Sequence, residues 1–452
     1  MTPYCFVETD TGTDGFGPNG EKLHRMDFSS MWDIKDFVKS YEGKLFGYNR
    51  HEYLKMNELF PGKMNFDYNQ VNVASIDIET AVESGFPNVQ TANEEVLLIT
   101  LIHKGQAYTL TARDFTVDGT KKLLFKDEHD LLKGFVALVK TLNIHVITGW
   151  NVIHFDMAYL YNRILRVCGE PALKKLSPFG IVSIEETTNE GRTQLRPTFV
   201  GLTVLDYLEL YQKFELSPRD SYKLDYIADV ELGERKIHMD CSFKESYQPE
   251  RWNDFCRYNI QDTRLVDRLD AKLGFIMLAM TIAYQSKCNY EDVYRVTRIW
   301  DNIIAIYLLE QNIQVEYNPR HSGDGFEGAF VKPTIAGFYQ WMSSFDVESM
   351  HPSLIIQYNI SPEKMLNPRE FVKLSAYDIR ENTEKYQTAI AKARSLNATL
   401  CANGAMFSKD GQGFIPHLTD KFFQMRKSAK AEMKTWDKQL QAAKAEKARR
   451  NA

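Results

Sequence analysis

The residues Val71-Asn72-Val73-Ala74-Ser75-Ile76 form a mostly apolar run that predicts a buried strand, and the run ends on Asp77-Ile78-Glu79. Side chains alternate along a strand, so Asp77 and Glu79 share one face. Short apolar runs at Val96–Ile102 and Ile144–Thr148 predict further strands, and helical spacing over Asp127–Lys140 and Met157–Cys168 predicts amphipathic helices between them. This alternation is an α/β pattern with a sheet at its centre. Alternating residues over Ile181–Phe199 flank Asn189-Glu190-Gly191 and predict a β-hairpin with its turn at the glycine. A helix over about 249–273 closes this unit.

Before it, Thr9–Asn19 reads as loop and Met31–Val38 as helix, a small α+β unit. After it, a helix over Val296–Gln311 breaks at Asn318-Pro319 and Gly323-Asp324-Gly325. A second sheet is expected to begin near Tyr339, a helix spans Glu381–Ser395, and Lys421–Arg450 reads as one long polar helix. A chain of 452 residues exceeds one hydrophobic core. The expected division is 1–70, an N-terminal α+β domain; 71–273, the α/β domain; 274–335, a helical linker; 336–413; and 414–452.

Composition changes little in this picture, since 44% hydrophobic and 25% charged residues are ordinary globular values. No apolar run is long enough to span a bilayer, and Met1–Cys5 lacks the pattern of a signal peptide. Six scattered cysteines without a Cys-x-x-Cys pair are expected to be reduced thiols, which places the protein in the cytoplasm. Net charge is −5, yet from Lys421 onward ten Lys/Arg face three acids. A basic face on an acidic body suits a protein that holds metals in one place and phosphates in another.

The candidate chemistry starts from the carboxylates. Gly149-Trp150-Asn151-Val152-Ile153-His154-Phe155-Asp156 follows a predicted strand and places Asp156 at the start of a helix. Tyr258 and Asp262 are four apart and share a helix face. Each feature alone has an ordinary reading: a solvated acidic pair, a helix cap, an exposed polar face. Together Asp77, Glu79, Asp156 and Asp262 supply enough oxygen ligands for two ions of Mg²⁺ or Mn²⁺ roughly 3.5–4 Å apart. Tyr258 is placed to orient an attacking water, and phosphodiester hydrolysis is the chemistry served.

The set Asp77-x-Glu79, Asn151-x-x-x-Phe155-Asp156 and Tyr258-x-x-x-Asp262 resembles the motifs of the DEDDy 3′–5′ proofreading exonucleases. More closely, it resembles the proofreading domain of family B DNA polymerases from tailed phages. Leu205-Asp206-Tyr207 and Ser221–Ile227 share the likeness, and the Ile181–Phe199 hairpin sits where that family separates primer from template. The resemblance implies a ribonuclease H-like domain. Ser344-Phe345-Asp346-Val347-Glu348-Ser349-Met350-His351-Pro352-Ser353 resembles the first palm motif as a strand, turn and helix, with Gly328–Lys332 leading into it. It implies Asp346 and the Val347 carbonyl as metal ligands, and the amides of Ser349, Met350 and His351 facing a triphosphate. The family has a Tyr where this chain has His351, a difference that bears on discrimination against ribonucleotides, and Glu348 is unusual beside phosphates. Phe422–Lys430 resembles the start of the fingers, with Arg426 and Lys430 one turn apart to grip phosphates.

Neither Asp-Thr-Asp nor Lys-x-x-x-Asn-Ser-x-Tyr-Gly occurs in the chain, and no thumb follows. The expectation is therefore an α/β multidomain N-terminal half of a polymerase, split or truncated, with a complete exonuclease and incomplete palm and fingers. Its expected partners are DNA primer-template, deoxynucleoside triphosphates and a second chain carrying the rest of the polymerase, and its expected location is the host cytoplasm. A stand-alone exonuclease whose palm remnant binds DNA, and a non-catalytic DNA-binding or assembly subunit, are the alternatives.

Overall fold

The computed structural model describes residues 2–82, 85–189, 192–317, 333–367 and 371–451. The chain divides into two compact units, Met56–Asn302 and Met1–Lys55 with Ile303–Ala452. The expected linker 274–335 is therefore divided between the two.

The chain opens with β1 (Tyr4–Glu8), β2 (Gly15–Phe16), β3 (Lys22–Asp27), α1 (Met31–Ser40), β4 (Leu45–Phe46) and α2 (His51–Leu59). The four strands make one sheet in the order β2-β3-β1-β4. Helix α1 starts where it does because the Ser30 side chain accepts the Asp33 amide, and Ile34 seats it on Cys5, Val7 and Leu45. Later residues complete this layer through bridges from Phe16 to Ile313 and from Phe46 to Glu316.

The second unit carries β5 (Val73–Thr80), β6 (Val96–His103), β7 (Gln106–Thr111), β8 (Thr120–Leu124), α3 (Glu128–Thr141), β9 (Val146–Gly149), α4 (Asp156–Cys168), α5 (Glu170–Leu173), β10 (Val182–Asn189), β11 (Arg192–Phe199) and β12 (Thr203–Asp206). Helices α6 (Tyr207–Phe214), α7 (Leu224–Leu232), α8 (Phe243–Ser246), α9 (Trp252–Leu273) and α10 (Phe275–Ser286) complete it, and α11 (Val296–Leu309) leads out of it. Six strands form a mixed sheet in the order β12-β9-β5-β6-β7-β8, with β5 parallel to β9 and antiparallel to β6. The alternation along β5 divides its side chains. Ala74, Ile76 and Ile78 are buried with α3 and α4 residues such as Phe135, Met157 and Leu160. The other face receives α9, whose Trp252 and Phe255 pack with Leu98. The hairpin of β10 and β11 keeps register from Val182↔Phe199 to Asn189↔Arg192, and its tip, Glu190-Gly191, lies outside the described residues.

The rest of the first unit comprises α12 (Met350–Tyr358), α13 (Ala376–Arg380), α14 (Glu384–Ser395), β13 (Ala398–Leu400), β14 (Met406–Ser408) and α15 (Phe414–Asn451). Helix α12 packs on α15, and Asn359 ties its end down by donating to the Ser408 and Gly411 carbonyls and accepting the Gly413 amide. The sheet expected near Tyr339 does not form. No strand is assigned over 333–349, and the second sheet of this region is the short β13–β14 pair. A strand's amides need a neighbouring strand, and no described residue pairs with this segment. Trp341 and Phe345 are accordingly 99% and 93% exposed. Asn318-Pro319, Gly323–Gly325 and Gly328–Lys332 lie outside the described residues.

No described helix is long and apolar enough to cross a membrane, and all six cysteines are free thiols. Ile76, 1% exposed at the sheet centre, sets a test of this core. Ile76→Ala should cost about 2–5 kcal/mol in urea unfolding of the full chain; a loss below about 1 kcal/mol would mean the β5 inner face is not packed as described.

Candidate active site

Three elements bring the predicted carboxylates together. Strand β5 holds Asp77 and Glu79 on the face covered by α9, Asp156 is the first residue of α4, and Asp262 lies in the middle of α9. Glu79 is 8% exposed, and Asp156 and Asp262 are each 3% exposed. The sheet explains how Asp156 arrives there. Strand β9 pairs with β5 only from Val73 to Ser75 and ends at Gly149, so the Ile78 amide beyond it has no ladder partner on that side. The Asp156 Oδ1 accepts that amide at 3.0 Å. Asp156 is therefore no helix cap. Phe155 occupies the cap position without a side-chain bond, and the Asp156 carboxylate is spent on the strand between Asp77 and Glu79. Gly149 is needed where the turn leaves the sheet, since a Cβ there would stand 2.6 Å from the Ile76 carbonyl oxygen.

Two residues that the sequence reading did not single out complete the cluster. Asn259 is fully buried on α9 and donates its Nδ2 to Asp77 Oδ2 at 2.6 Å. It lies three residues before Asp262, so helical spacing already placed it on the cluster's side. Lys236 lies in the irregular segment after α7, where no periodicity points to it. Its backbone amide is anchored on Asp225 Oδ1 at 2.9 Å. Its Nζ stands 2.5 Å from Asp262 Oδ2 and 4.8 Å from the centre of the Tyr258 ring. Lys236 and Tyr258 also line a cavity of about 280 Å³ with His238 and Phe243. A larger cavity, about 680 Å³ between Leu59–Asn65 and Tyr284–Tyr290, contains none of the carboxylates.

The electrostatics follow from crowding like charges out of water. Burial, then the charges of Asp156, Glu79 and Asp262, push Asp77 well above the carboxylate range. Burial, then Asp262, pushes Glu79 up to about 8, and burial pushes Asp156 up to about 8. Burial also raises Asp262, although Lys236 opposes it. Burial alone would lower the Lys236 ammonium, but Asp262 and Tyr258 hold it above the usual lysine range. One ammonium faces four carboxylates, and Asp262 Oδ1 is buried without a hydrogen-bond partner.

That orphaned oxygen and this excess of hard oxygen donors fit a divalent cation. Among the described residues, no three of these carboxylates bring one oxygen each within 4.8 Å of one another; only Asp127, His129 and Asp130 do so, at the start of α3. There Asp127 caps the helix by accepting the Asp130 amide.

The other predicted site residues lie in the first unit and form no comparable cluster. Asp346 and Val347 are exposed in the unpaired segment, not on the expected strand. Ser349 takes a left-handed φ of 51° and starts α12, whose first residues are Met350 and His351. Arg426 and Lys430 are exposed, one turn apart on α15.

The raised carboxylates give the metal-free protein a definite pH dependence. Glu79 and Asp156 bind protons more tightly in the folded state, so the stability they supply is full below the ordinary carboxylate range, about pH 4, and is lost as pH rises through about 8. A cation that takes the place of those protons restores it. The rise in Tm on adding Mg²⁺ should therefore grow from about pH 6 to about 8. A rise that shrinks over this interval would show that the cation binds elsewhere.

Comparison with known proteins now adds the family. Residues 51–227 match DNA polymerase family B, exonuclease domain, and residues 289–449 match DNA polymerase family B. Asp77, Glu79 and Asp156 fall inside the first match, whereas Lys236, Tyr258 and Asp262 fall outside both and are placed by geometry alone. The DNA-directed DNA polymerase of Escherichia phage RB69 is 28% identical over 93% of this chain and 49% of its own length. That of Enterobacteria phage T4 is 27% identical over 92% of this chain and 48% of its own. The DNA polymerase delta catalytic subunit of Oryza sativa subsp. japonica is 26% identical over 80% of this chain and 33% of its own. The chain thus spans about half the length of the phage relatives it matches. With both domain matches in sequence order and the phage likeness running through nearly the whole chain, this protein belongs to DNA polymerase family B.

Proposed function

We propose that this chain serves DNA replication as the exonuclease-bearing half of a DNA-directed DNA polymerase. Its second unit is a ribonuclease H-like DEDDy domain that removes 3′-terminal nucleotides. The observation that carries this reading is that Asp156 accepts the Ile78 amide, between Asp77 and Glu79, while α9 packs on the same strand and carries Asp262 and the Asn259 that bonds Asp77. Asp77, Glu79, Asp156 and Asp262 would hold Mg²⁺ or Mn²⁺, as two ions. When bound, the ions supply a water activated at neutral pH and charge neutralisation at the scissile phosphate. The protein's own contribution is positional. Asn259 fixes the rotamer of Asp77 from behind. Lys236 holds Asp262 and lies against the Tyr258 ring, so the phenol is presented at the edge of the cluster, where it can orient a water. Burial and Asp262 keep that phenol protonated at neutral pH, hence a hydrogen-bond donor and not a base.

For the polymerase site, Asp346 and the Val347 carbonyl are assigned as metal ligands, and Ser349, Met350, His351, Arg426 and Lys430 as contacts to a deoxynucleoside triphosphate. DNA primer-template is the substrate. No described residue pairs with the Asp346 segment, and the second carboxylate and a strand partner are assigned to further polypeptide. Its assignment to a separate chain rests on the unpaired, exposed 333–349 segment; each phage relative carries the name of polymerase on one chain of about twice this length.

Two experiments test these assignments. With Mg²⁺, the chain should shorten a single-stranded oligonucleotide from its 3′ end, and Asp77→Ala or Asp262→Ala should slow cleavage at least about 10²-fold; full activity in either variant would remove the cluster from the reaction. Primer extension should be absent with this chain alone and appear when a polypeptide bearing the remaining palm, fingers and thumb is added. Extension by the chain alone would refute the dependence on further polypeptide.

A further inference from the structure

The Leu205-Asp206-Tyr207 run has no part in the cluster as described so far, yet Asp206 is the most fully hydrogen-bonded acid near it. It ends β12, opposite Gly149 in the parallel pairing with β9, and is 0% exposed. Its Oδ1 accepts the amides of Asn151 at 3.1 Å and Leu208 at 2.9 Å, with Glu209 at 3.4 Å, and its Oδ2 accepts the amide of Ile153 at 3.0 Å. The Leu208 and Glu209 bonds cap α6. The Asn151 and Ile153 bonds do something different: they hold the turn that runs from Gly149 into Asp156.

That turn needs holding. Asn151 takes a left-handed φ of 63°, a conformation that its own side chain tolerates but does not impose. The turn supplies Asp156, whose carboxylate must reach the Ile78 amide between Asp77 and Glu79. A second tie reinforces the first. Glu209 is brought to the turn by the same cap and accepts His154 Nε2 at 3.1 Å and Arg196 Nη2 at 2.8 Å. A buried carboxylate with four amide donors is a stiff anchor, because each bond lost would leave a buried donor unsatisfied.

We propose that Asp206 is a positioning residue of the exonuclease site: by clamping the amides of Asn151 and Ile153 it fixes where Asp156 stands relative to Asp77 and Glu79. The inference rests on the exonuclease reading above. The Asp206 side chain bonds the amides of the turn and of α6, and none of its hydrogen bonds goes to Asp77, Glu79, Asp156 or Asp262. Its effect passes through the turn, as supporting residues behind metal-binding carboxylates do.

Two substitutions in the full chain separate this role from helix capping. Asp206→Ser keeps a good cap for α6 but its single short oxygen cannot also reach the turn. Asp206→Asn keeps the size but turns an amide NH₂ toward groups that are themselves donors. Mn²⁺ affinity is read from the electron paramagnetic resonance of free Mn²⁺, alongside kcat and KM on a single-stranded oligonucleotide. The expected result for both variants is a Kd for Mn²⁺ weakened on the order of 10–100-fold. The kcat should fall, with partial recovery at saturating Mn²⁺, while KM for the oligonucleotide holds. Variants that bind Mn²⁺ and cleave as the unaltered chain does overturn the proposal while leaving the exonuclease reading intact. Variants that lose their fold by circular dichroism overturn it as well, because Asp206 would then serve stability alone. An unaltered chain that neither binds Mn²⁺ nor cleaves overturns both.

Discussion

The hydrogen bond from the Ile78 amide to Asp156 decides the geometry of the exonuclease region. It exists because β9 stops short of β5's end, which leaves one strand amide to be satisfied by a side chain instead of a neighbouring strand. The amide lies between Asp77 and Glu79, so satisfying it draws a third carboxylate into a place where two already repel. Packing then forces a fourth upon them, because α9 covers this face through Trp252 and Phe255 and carries Asp262 with it. The apolar burial that stabilises the unit and the crowding that raises its carboxylates are thus two consequences of the same helix-on-sheet contact.

The strain is visible in the raised carboxylates and in the way Lys236 is placed. A lysine among acids is an ordinary surface feature of little energetic weight. Here it is pinned to Asp262 by a neighbourhood short of positive charge. Asn259 contributes a neutral donor to Asp77, which orients a carboxylate without adding charge. The cluster therefore keeps an excess of negative charge over the one ammonium that faces it.

The two units contrast in how far their chemistry is assembled. In Met56–Asn302 Glu79, Asp156 and Asp262 are buried, and Asp77, Asp156 and Asp262 are each engaged by a neighbour. In the other unit Asp346 stands in an exposed, unpaired segment, and Arg426 and Lys430 project from an exposed helix. The family likeness extends through both units, but only Met56–Asn302 brings its predicted site residues to one place.

Local pattern carried much of this into the sequence. The apolar run before Asp77, the spacing of Tyr258 and Asp262 and the helices α3, α4 and α9 could be read from periodicity, because period-2 and period-3.6 burial are properties of adjacent residues. The four carboxylates were candidates by residue type and element position, and the places of Asp77, Glu79, Asp156 and Asp262 on β5, α4 and α9 follow from the same local pattern. The strand expected at Asp346 failed for the complementary reason: an apolar pattern is a readiness to pair, and pairing requires a neighbour that the pattern does not name. Lys236 was unreadable because it sits in irregular chain after α7 and meets Asp262 only through the fold. The division of labour at Asp156 and Asp206 was equally hidden, since either is an ordinary helix-start acid by sequence. Which of them caps a helix and which binds a strand depends on the amides that the sheet left unpaired, and long-range packing sets that.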